Sequence, residues 1–299
     1  MRAVRLHPPG GVDGLRVEEV DTPAPGPEDA LVRVHAAAIT RDELDWPTDR
    51  LPAIPSYESS GVVEAVGPDV EDVAPGDEVF ALHGFERDGA AAELTVVAAA
   101  YLAPKPSSMG HVESAAIPLA GLSAWQALFD HGRLAEGERV LIHGAAGGVG
   151  GFAVQLARSR GAHVIGTAST PNVDVARDLG ANEVVDHTTM RFEDAVEPVD
   201  LVFDTVGGEL LARSPAVLKP GGRLVSIATD PPAGSGGVYF VVEPNRDQLA
   251  GLARMADAGD LRVRIDVVFA LGRAREAFER SLEPASRRGK IVLRVREDW

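Results

Sequence analysis

The feature of the sequence that most constrains the fold is a cluster of glycines between an apolar run and a helical pattern. Residues 139–157 read RVLIHGAAGGVGGFAVQLA. The apolar run Val140–Ile142 predicts a buried strand, and the four-residue spacing of Phe152 and Leu156 is typical of one face of a helix. The stretch therefore predicts a β-strand and an α-helix joined by a turn that is nearly free of side chains.

The glycine turn suits the phosphates of a dinucleotide, because a phosphate approaches a backbone closely only where side chains are absent. Gly147 would admit the pyrophosphate, and Gly150 would let the helix pack on the strand. Ala145 stands where the usual fingerprint has its first glycine. A tight turn without a ligand is the alternative, but the flanking strand and helix favour a dinucleotide. The residues predicted to contact the phosphates are Ala146, Gly147, Gly148, Val149 and Gly150.

The chain of 299 residues changes character near residue 115. Before this point, short apolar runs are separated by turns rich in glycine and proline, which is typical of a β-barrel or sandwich. After it, strands and helices alternate, as they do in parallel βαβ units. Among the later elements, ELLARSPAVL (209–218) predicts a helix and VYFVV (238–242) predicts a strand.

Charge and cysteine content disfavour several classes of function. The formal net charge of −16 at pH 7 argues against nucleic acid and anionic membranes as partners, because both require a basic surface. The sequence has no cysteine, which excludes disulfides, thiolate nucleophiles and Cys-ligated metals. No apolar run approaches the length of a membrane span, and the start MRAVRLHPPGG lacks a signal-peptide core. We therefore expect a cytoplasmic protein that acts on a small molecule.

The second strand of the predicted nucleotide-binding region ends at Gly166–Thr170, without the Asp or Glu that would hold a ribose 2′-OH. Small hydroxyl residues stand there instead, which suits a 2′-phosphate and favours NADPH over NADH. Arg177 and His187 lie downstream and could supply positive charge, with solvated surface as the alternative for each. The predicted contacts of the 2′-phosphate are Ser169, Asn172, Arg177 and His187.

The order of motifs along the chain resembles the medium-chain dehydrogenase/reductase family. The motifs are PSYESSGVVEAVG, AGLSAWQAL, GAAGGVG, DTVGG, LKPGGRLVSIA and GKIVLRV. The resemblance covers essentially the whole chain. It implies a Rossmann-type parallel-sheet domain at 116–260, inserted in a β-rich, barrel-like (GroES-like) catalytic domain formed by 1–115 and 261–299. It also implies a homodimer whose nucleotide-domain sheets meet edge to edge at VYFVV.

Three residues place the resemblance with the zinc-independent, quinone oxidoreductase-like group of this family. Thr40 stands at the position of the first zinc ligand in zinc-dependent relatives, Tyr57 at that of the His ligand, and Leu119 at that of a later Cys. None of them is a side chain that zinc favours, so the site is predicted to be metal-free. In this group a Lys often holds the 2′-phosphate. Its position here is Val173, which leaves that contact to the residues named above.

Without zinc, hydride transfer to an already electrophilic, conjugated carbonyl is the easier reaction, because a few hydrogen-bond donors can stabilise the charge that develops on oxygen. Tyr57 and Thr40 are the candidate donors, with ordinary packing near the cofactor as the alternative. Lys290 could reach the cofactor, with a surface lysine as the alternative.

Residues at the C-terminal ends of the strands face the ligand in open α/β sheets. The resemblance adds that the segment around Phe240 runs beside the nicotinamide. The predicted contacts on this side of the cofactor are Val206, Ser226, Phe240 and Val241.

We therefore expect an NADPH-dependent, zinc-independent reductase of quinones or α,β-unsaturated carbonyls. Two alternatives remain open from the sequence. One is an enoyl-thioester reductase, which would need a basic groove for a phosphopantetheine arm. The other is a non-catalytic NADPH-binding sensor or structural protein. NADPH consumption with quinones, enones or enoyl thioesters discriminates among the three readings.

Overall fold

The computed structural model of the chain describes residues 1–46, 49–283 and 289–296. The chain divides into two compact units. The first unit comprises Met1–Leu119, Glu243–Gly259 and Val263–Trp299. The second unit comprises Ala120–Val242 and Asp260–Arg262.

Strands and helices follow one another along the described residues as the change of pattern near residue 115 predicts. The strands are β1 (Arg2–Leu6), β2 (Leu15–Glu19), β3 (Asp29–Ile39), β4 (Glu58–Val66), β5 (Glu78–Leu82), β6 (Leu94–Ala98), β7 (Ala103–Pro104), β8 (Arg139–His143), β9 (His163–Ala168), β10 (Glu183–Asp186), β11 (Val199–Asp204), β12 (Leu218–Ser226), β13 (Val238–Tyr239), β14 (Ile265–Ala270) and β15 (Lys290–Arg294). The α-helices are α1 (His111–Ala115), α2 (Pro118–Trp125), α3 (Gly148–Ser159), α4 (Val173–Leu179), α5 (Gly208–Arg213), α6 (Arg246–Asp257) and α7 (Ala274–Leu282).

Short 3₁₀ turns and one π-helical turn complete the described secondary structure. The 3₁₀ turns are Val12–Gly14, Glu43–Asp45, Ala99–Tyr101, Thr170–Asn172, Phe192–Asp194, Ser214–Val217 and Leu271–Arg273. The π-helical turn is Gln126–His131, and it continues directly from α2.

The first unit is built on a seven-stranded sheet in the order β14-β15-β3-β4-β5-β7, with β6 paired to β3 off this path. Its pairs are antiparallel except for β14 with β15. Strand β3 is eleven residues long and carries three neighbours, which makes it the centre of the sheet. Alternate apolar side chains of its strands fill the interior; among them are Val32, Val63, Val79 and Val97.

The register of the first sheet places three sequence-distant residues at one end. Ile39 of β3 lies opposite Ile291 of β15, and Ala38 lies opposite Glu58 of β4. Thr40 therefore follows the end of β3 where Lys290 begins β15 and Glu58 begins β4. The C-terminal strand thus returns to the point where two of the positions singled out in the sequence, Thr40 and Tyr57, lie.

The second unit is a six-stranded parallel sheet in the order β10-β9-β8-β11-β12-β13. The chain leaves β8 in one direction along the sheet and later resumes beside it at β11. The junction between these two strands is the switch point at which such sheets bind ligands, beyond the C-terminal strand ends. Together the two sheets confirm the predicted fold class, a Rossmann-type sheet with a β-rich GroES-like domain.

Several predicted elements have different bounds in the structure, each for a local reason. The helix expected over 209–218 ends at Arg213 and gives way to the 3₁₀ turn Ser214–Val217, because Pro215 has no N–H to continue the α-helical ladder. The strand expected over 238–242 covers only Val238–Tyr239, since its partner β12 ends at Ser226.

Helix α6 lies in the first unit, whereas the family resemblance implied that residues 243–259 belong to the nucleotide-binding domain. Arg246 at its start donates to Asp72 at 2.9 Å, and Asp257 at its end accepts from the Ser108 N–H at 2.8 Å. Asn245 caps the helix by accepting from the Gln248 N–H at 3.0 Å. These contacts at both ends of the helix explain why it belongs with the N-terminal strands.

The glycine turn between β8 and α3 is packed too tightly for side chains. A Cβ on Gly150 would lie 2.1 Å from the Gly144 carbonyl oxygen, and a Cβ on Gly166 of β9 would lie 2.5 Å from the Ala145 Cβ. Gly144 itself has φ +74°, a conformation that glycine adopts without strain. The turn therefore needs glycine for its own geometry, in addition to any ligand.

We predict that Gly150→Ala destabilises the protein by about 1–3 kcal/mol, because the added methyl group forces the turn away from the helix. Chemical denaturation followed by circular dichroism measures the change. Gly272→Ala is the matched control, since a Cβ there meets nothing within 4 Å. Equal stability of the two variants would contradict the close packing described here.

Candidate active site

A buried ion pair lies at the end of the first sheet where β4 and β15 begin. Lys290 Nζ lies 2.5 Å from Glu58 Oε1, and their side chains are 8% and 1% exposed. The second carboxylate oxygen of Glu58 accepts from the Leu119 N–H at 2.8 Å. The sequence predicted Lys290 as a cofactor contact with a surface lysine as the alternative. The structure buries it against Glu58, and its contact with a cofactor stays a prediction.

Glu43 is a second buried carboxyl group at this end of the sheet, and the sequence analysis did not single it out. Its side chain is fully buried, and its two oxygens accept from the Thr40 N–H at 3.1 Å and the Ser56 N–H at 3.2 Å. Burial raises its pKa to about 8, against the opposing effects of the Thr40 N–H and the Lys290 charge. Glu43 is therefore largely neutral at pH 7. The signal in the sequence is faint, since Glu43 is one of three acids, with Asp42 and Asp45, that closely follow Thr40.

Tyr57 is fully buried, and its hydroxyl oxygen accepts a hydrogen bond from Arg50 Nη2 at 2.8 Å. Its ring lies against those of Trp46 and Phe85, at centroid distances of 5.6 and 5.4 Å. Burial raises its pKa to about 12, so the phenol keeps its proton at neutral pH. Because the oxygen accepts from Arg50, the phenol proton remains free to be donated.

Three buried polar atoms near these residues have no hydrogen-bond partner in the described part of the chain. They are Thr40 Oγ1, Ser56 Oγ and His83 Nδ1. His83 is held through its other nitrogen, which lies 2.8 Å from Ser59 Oγ, and burial lowers its pKa to about 4. Each unpaired buried group costs about 1–3 kcal/mol. Such a concentration at one place calls for a ligand or solvent that supplies the missing partners.

The glycine turn of the second unit offers a cradle for phosphate. Helix α3 begins at Gly148 after the extended residue Gly147, and its first N–H groups have no partners within the helix. The residues predicted for the pyrophosphate, Ala146–Gly150, form the end of this turn and the first turn of the helix. The absence of side chains at Gly147 and Gly150 fits a phosphate held by backbone N–H groups.

The residues predicted for the 2′-phosphate gather near the end of β9. Asn172 Nδ2 donates to Ser169 Oγ at 3.0 Å, and the His187 N–H bonds to the Ala168 carbonyl at 3.1 Å. Arg177 is different, because it lies on α4 with its guanidinium 3.1 Å from Asp174. The structure therefore brings Ser169, Asn172 and His187 to one strand end and pairs Arg177 elsewhere. Contact of any of them with a phosphate stays a prediction.

Asp186 is a carboxylate at this strand end that the sequence analysis missed. It lies opposite Ala168 in the sheet, and it accepts from the hydroxyls of Thr170 and Thr188, each at 2.6 Å. These hydrogen bonds lower the pKa of Asp186, with the Thr170 hydroxyl contributing most. The Thr170 and Thr188 hydroxyls also lie 2.8 Å apart, so the two threonines and Asp186 form one hydrogen-bonded cluster. The sequence signal was the position of Asp186 at the end of the neighbouring parallel strand.

Of the residues predicted on the nicotinamide side, Val206 lies after β11, Ser226 ends β12, and Phe240 and Val241 follow β13. Val206 and Val241 are 42% and 57% exposed. The Phe240 N–H bonds to the Ser226 carbonyl at 3.3 Å, and the Phe240 ring lies 4.3 Å from that of His131. Ser226 is buried, and its hydroxyl is committed to Asp204 Oδ2 at 2.9 Å. The Ser226 hydroxyl is thus engaged within the strand end, and contact of these four residues with a nicotinamide stays a prediction.

The described residues also bear on a metal and a membrane as partners. Among residues 1–46, 49–283 and 289–296, no three or more His, Asp or Glu side chains are grouped in a way that could hold a metal ion. The metal-free site stays a prediction that rests on the side chains at Thr40, Tyr57 and Leu119. Within the same residues, no helix combines the length and apolar character needed to span a membrane.

Comparison with known proteins gives consistent matches along the chain. Residues 26–107 match the alcohol dehydrogenase GroES-like domain, and residues 179–293 match the family described as zinc-binding dehydrogenase. A probable zinc-binding oxidoreductase, mitochondrial, of Arthroderma benhamiae is 33% identical over 94% of this chain and 93% of its own. The NADPH-dependent alkenal/one oxidoreductase of Arabidopsis thaliana chloroplasts is 34% identical over 95% of this chain and 77% of its own.

A solved structure matches over the same extent. The quinone oxidoreductase from Coxiella burnetii superposes with a TM-score of 0.91 at 30% identity, covering 99% of both chains. These matches extend over both units, and they confirm the resemblance on which the sequence analysis relied. The protein belongs to the medium-chain dehydrogenase/reductase family, in its zinc-independent quinone oxidoreductase-like group, and is an oxidoreductase that uses a nicotinamide cofactor.

Proposed function

We propose that the protein is an NADPH-dependent, zinc-independent reductase that transfers hydride to a quinone or to an α,β-unsaturated carbonyl. The observation that carries the proposal is the chemistry at the positions where zinc-dependent relatives bind their metal. Hydroxyl and aliphatic side chains stand there, at Thr40, Tyr57 and Leu119, beside buried hydroxyls without partners. Such a site can donate hydrogen bonds to an oxygen, and relatives named for quinone and alkenal reduction support the same substrates.

The residues of the site suit a substrate that is already activated. When bound, the nicotinamide supplies the hydride, and the electron pair of the conjugated system moves onto the carbonyl oxygen. Tyr57 keeps its proton and can donate a hydrogen bond to that oxygen, with Arg50 polarising its hydroxyl from the other side. Thr40 contributes a second donor. A proton taken up from solvent then completes the reduced product.

The residues near the end of β9 include some that favour NADPH and one that disfavours it. Ser169 and Asn172 at the end of β9 leave no acid where a 2′-OH is usually held. Asp186 nevertheless brings a carboxylate within one hydrogen bond of Thr170, next to Ser169. A negative charge there opposes a 2′-phosphate, so we infer a smaller preference for NADPH than Ser169 alone would give.

Assembly and location form part of the same proposal. Strand β13 is the edge of the parallel sheet, and Val238 and Tyr239 are each 41% exposed. An edge that pairs with a second copy would satisfy its unpaired backbone groups and cover these side chains. We propose a homodimer through this edge and a cytoplasmic location. Light scattering that shows a monomer at micromolar concentration would refute the dimer, and cell fractionation tests the location.

The experiment that tests the function follows NADPH absorbance with a panel of quinones, enones and enoyl thioesters. Turnover of quinones or enones that survives exhaustive chelation, by protein with no stoichiometric zinc, is the expected result. A preference for enoyl thioesters would favour the alternative of an enoyl-thioester reductase. Binding of NADPH without turnover of any substrate would favour a sensor. Loss of activity together with about one zinc per chain would refute the metal-free site.

We predict that Tyr57→Phe lowers kcat by up to about a hundredfold for a simple enone, the range for one donor lost from a well-formed oxyanion site. The kcat for a quinone should fall less, because a quinone is more electrophilic and depends less on a hydrogen bond to its oxygen. Arg50 keeps the Phe85 carbonyl as acceptor at 2.9 Å, which favours an intact fold in the variant. Steady-state kinetics with both substrates measures the effect, with Tyr101→Phe as the control. Unchanged kcat for both substrates would mean that Tyr57 only packs.

We predict that Asp186→Asn raises the affinity for NADPH at least about threefold and leaves that for NADH nearly unchanged, because only the 2′-phosphate meets the lost charge. The gain should shrink as salt is added, since the half-exposed carboxylate is screened by ions. Titration by cofactor fluorescence at low and high salt measures both affinities. Asp194→Asn, which removes one exposed charge from the same unit, is the control. An equal change in the affinity for NADH would contradict the proposal that the Asp186 charge acts on the 2′-phosphate.

A further inference from the structure

Ser56 has two properties that its role in the fold does not explain. Its φ is +68°, a left-handed conformation that a residue with a side chain rarely adopts. Its side chain is fully buried, and its hydroxyl has no partner in the described part of the chain. Strained backbone and an unpaired buried group at one residue are typical of functional sites.

The backbone of Ser56 is fixed by two hydrogen bonds. Its N–H donates to Glu43 Oε1 at 3.2 Å, and its carbonyl accepts from the Ala90 N–H at 2.5 Å. These bonds hold the residue in its strained conformation and do not involve the hydroxyl. A glycine at this position would relieve the strain, so the fold alone gives no reason for a side chain here.

Glu43 holds Thr40 in the same way from its other oxygen. The Thr40 N–H donates to Glu43 Oε2 at 3.1 Å, and Thr40 Oγ1 is also buried without a partner. One carboxyl group therefore anchors the backbones of two residues whose hydroxyls are both unpaired. The two unpaired hydroxyls therefore belong to residues that share one buried anchor, and Ser56 directly precedes Tyr57 in the sequence.

We propose that the hydroxyls of Ser56 and Thr40 together bind the carbonyl oxygen of the substrate, with Ser56 as a catalytic donor and Glu43 as the positioning residue that spaces the two. This inference rests on the proposed reduction of a conjugated carbonyl. An oxygen placed between the two hydroxyls accepts from both, which supplies the partners that the protein lacks.

The two hydroxyls serve a balanced reaction. Hydride adds to the β-carbon of an enone, a C–H bond forms, and the C=C electron pair moves so that negative charge rests on the carbonyl oxygen. The cofactor is oxidised and the substrate is reduced by two electrons. The hydroxyls keep their protons and strengthen their hydrogen bonds as the charge develops. One proton from solvent then reaches the enolate and gives the saturated ketone.

The protonation state of Glu43 matters because the developing charge is negative. Burial raises its pKa to about 8, so it is neutral at pH 7 and becomes a carboxylate above pH 8. The groups that act on it electrostatically are Lys290 from β15 and Glu58 from β4, with Tyr57 beside them. Above pH 8, ionised Glu43 opposes the charge on the substrate oxygen, so the rate should fall there.

Substitutions at Ser56 separate the hydroxyl from the strain. Ser56→Ala removes the hydroxyl and keeps the strained backbone, whereas Ser56→Gly removes both. We expect both variants to lower kcat for an enone at least about tenfold, with KM changed less and NADPH affinity unchanged. Ser114→Ala removes a buried hydroxyl that is already paired with the Gly110 carbonyl at 2.8 Å, and it serves as the control. Wild-type kcat in Ser56→Gly would overturn the role of the hydroxyl.

The role of Glu43 is tested by the pH dependence of kcat/KM for the enone. In the wild type, kcat/KM should fall above pH 8, by up to about tenfold per pH unit. Glu43→Gln should lower the rate at pH 7 and remove this decline, since an amide does not ionise. A decline of the same size in Glu43→Gln would overturn the assignment. Failure of the proposed function is distinct, because the wild type would then consume no NADPH with any electrophile of the panel.

Discussion

The buried ion pair between Lys290 and Glu58 is the contact on which the geometry of the first unit depends. Removing two charges from water is costly, and only close pairing with further hydrogen bonds offsets that cost. Glu58 meets this need through Lys290 on one oxygen and the Leu119 N–H on the other. Loss of either charged partner would leave the other buried and unpaired, which typically costs 3–5 kcal/mol. The pair therefore ties the last strand of the chain to β4, close to the candidate donors.

Under the proposed function, hydroxyl groups at this end of the sheet bind a substrate oxygen that a zinc ion would bind in zinc-dependent relatives. A zinc ion concentrates two positive charges at one point, whereas hydroxyl groups offer only dipoles. Hydroxyl dipoles can stabilise the negative charge that develops during hydride transfer when the substrate itself delocalises that charge. Net charge near the site is also kept low, because Lys290 neutralises Glu58 and Glu43 is protonated at neutral pH. Under the proposed function, such a site serves substrates that are already electrophilic.

The features that could be predicted from the sequence are those that appear as local patterns of residues. The glycine turn, the alternation of strands and helices, and the ordered motifs predict the two sheets and the family. The positions Thr40 and Tyr57 were found because they stand where ligands stand in relatives. Glu43 and Asp186 were missed, since each is an ordinary acid whose importance comes from burial or from a neighbouring strand.

The conformation of Ser56 could not be predicted from the sequence either. A left-handed serine looks like any serine in a sequence, and its strain follows from tertiary hydrogen bonds to Glu43 and Ala90. The bounds of β13 and α5 depended in turn on where a partner strand stops and on a single proline. What the sequence leaves open is thus the set of contacts between segments that are distant along the chain.

The close packing around the glycine turn has a consequence for how this protein can diverge. Gly150 and Gly166 have no room for even one methyl group, so packing alone resists substitution at these two positions. The rim formed by Ser169, Asn172 and Asp186 is half-buried, and the neighbouring Thr188 is exposed. Chains that diverge from this one would therefore change their preference between NADPH and NADH through substitutions at the rim. Gly150 and Gly166 would stay unchanged, because they are required by packing whichever cofactor is used.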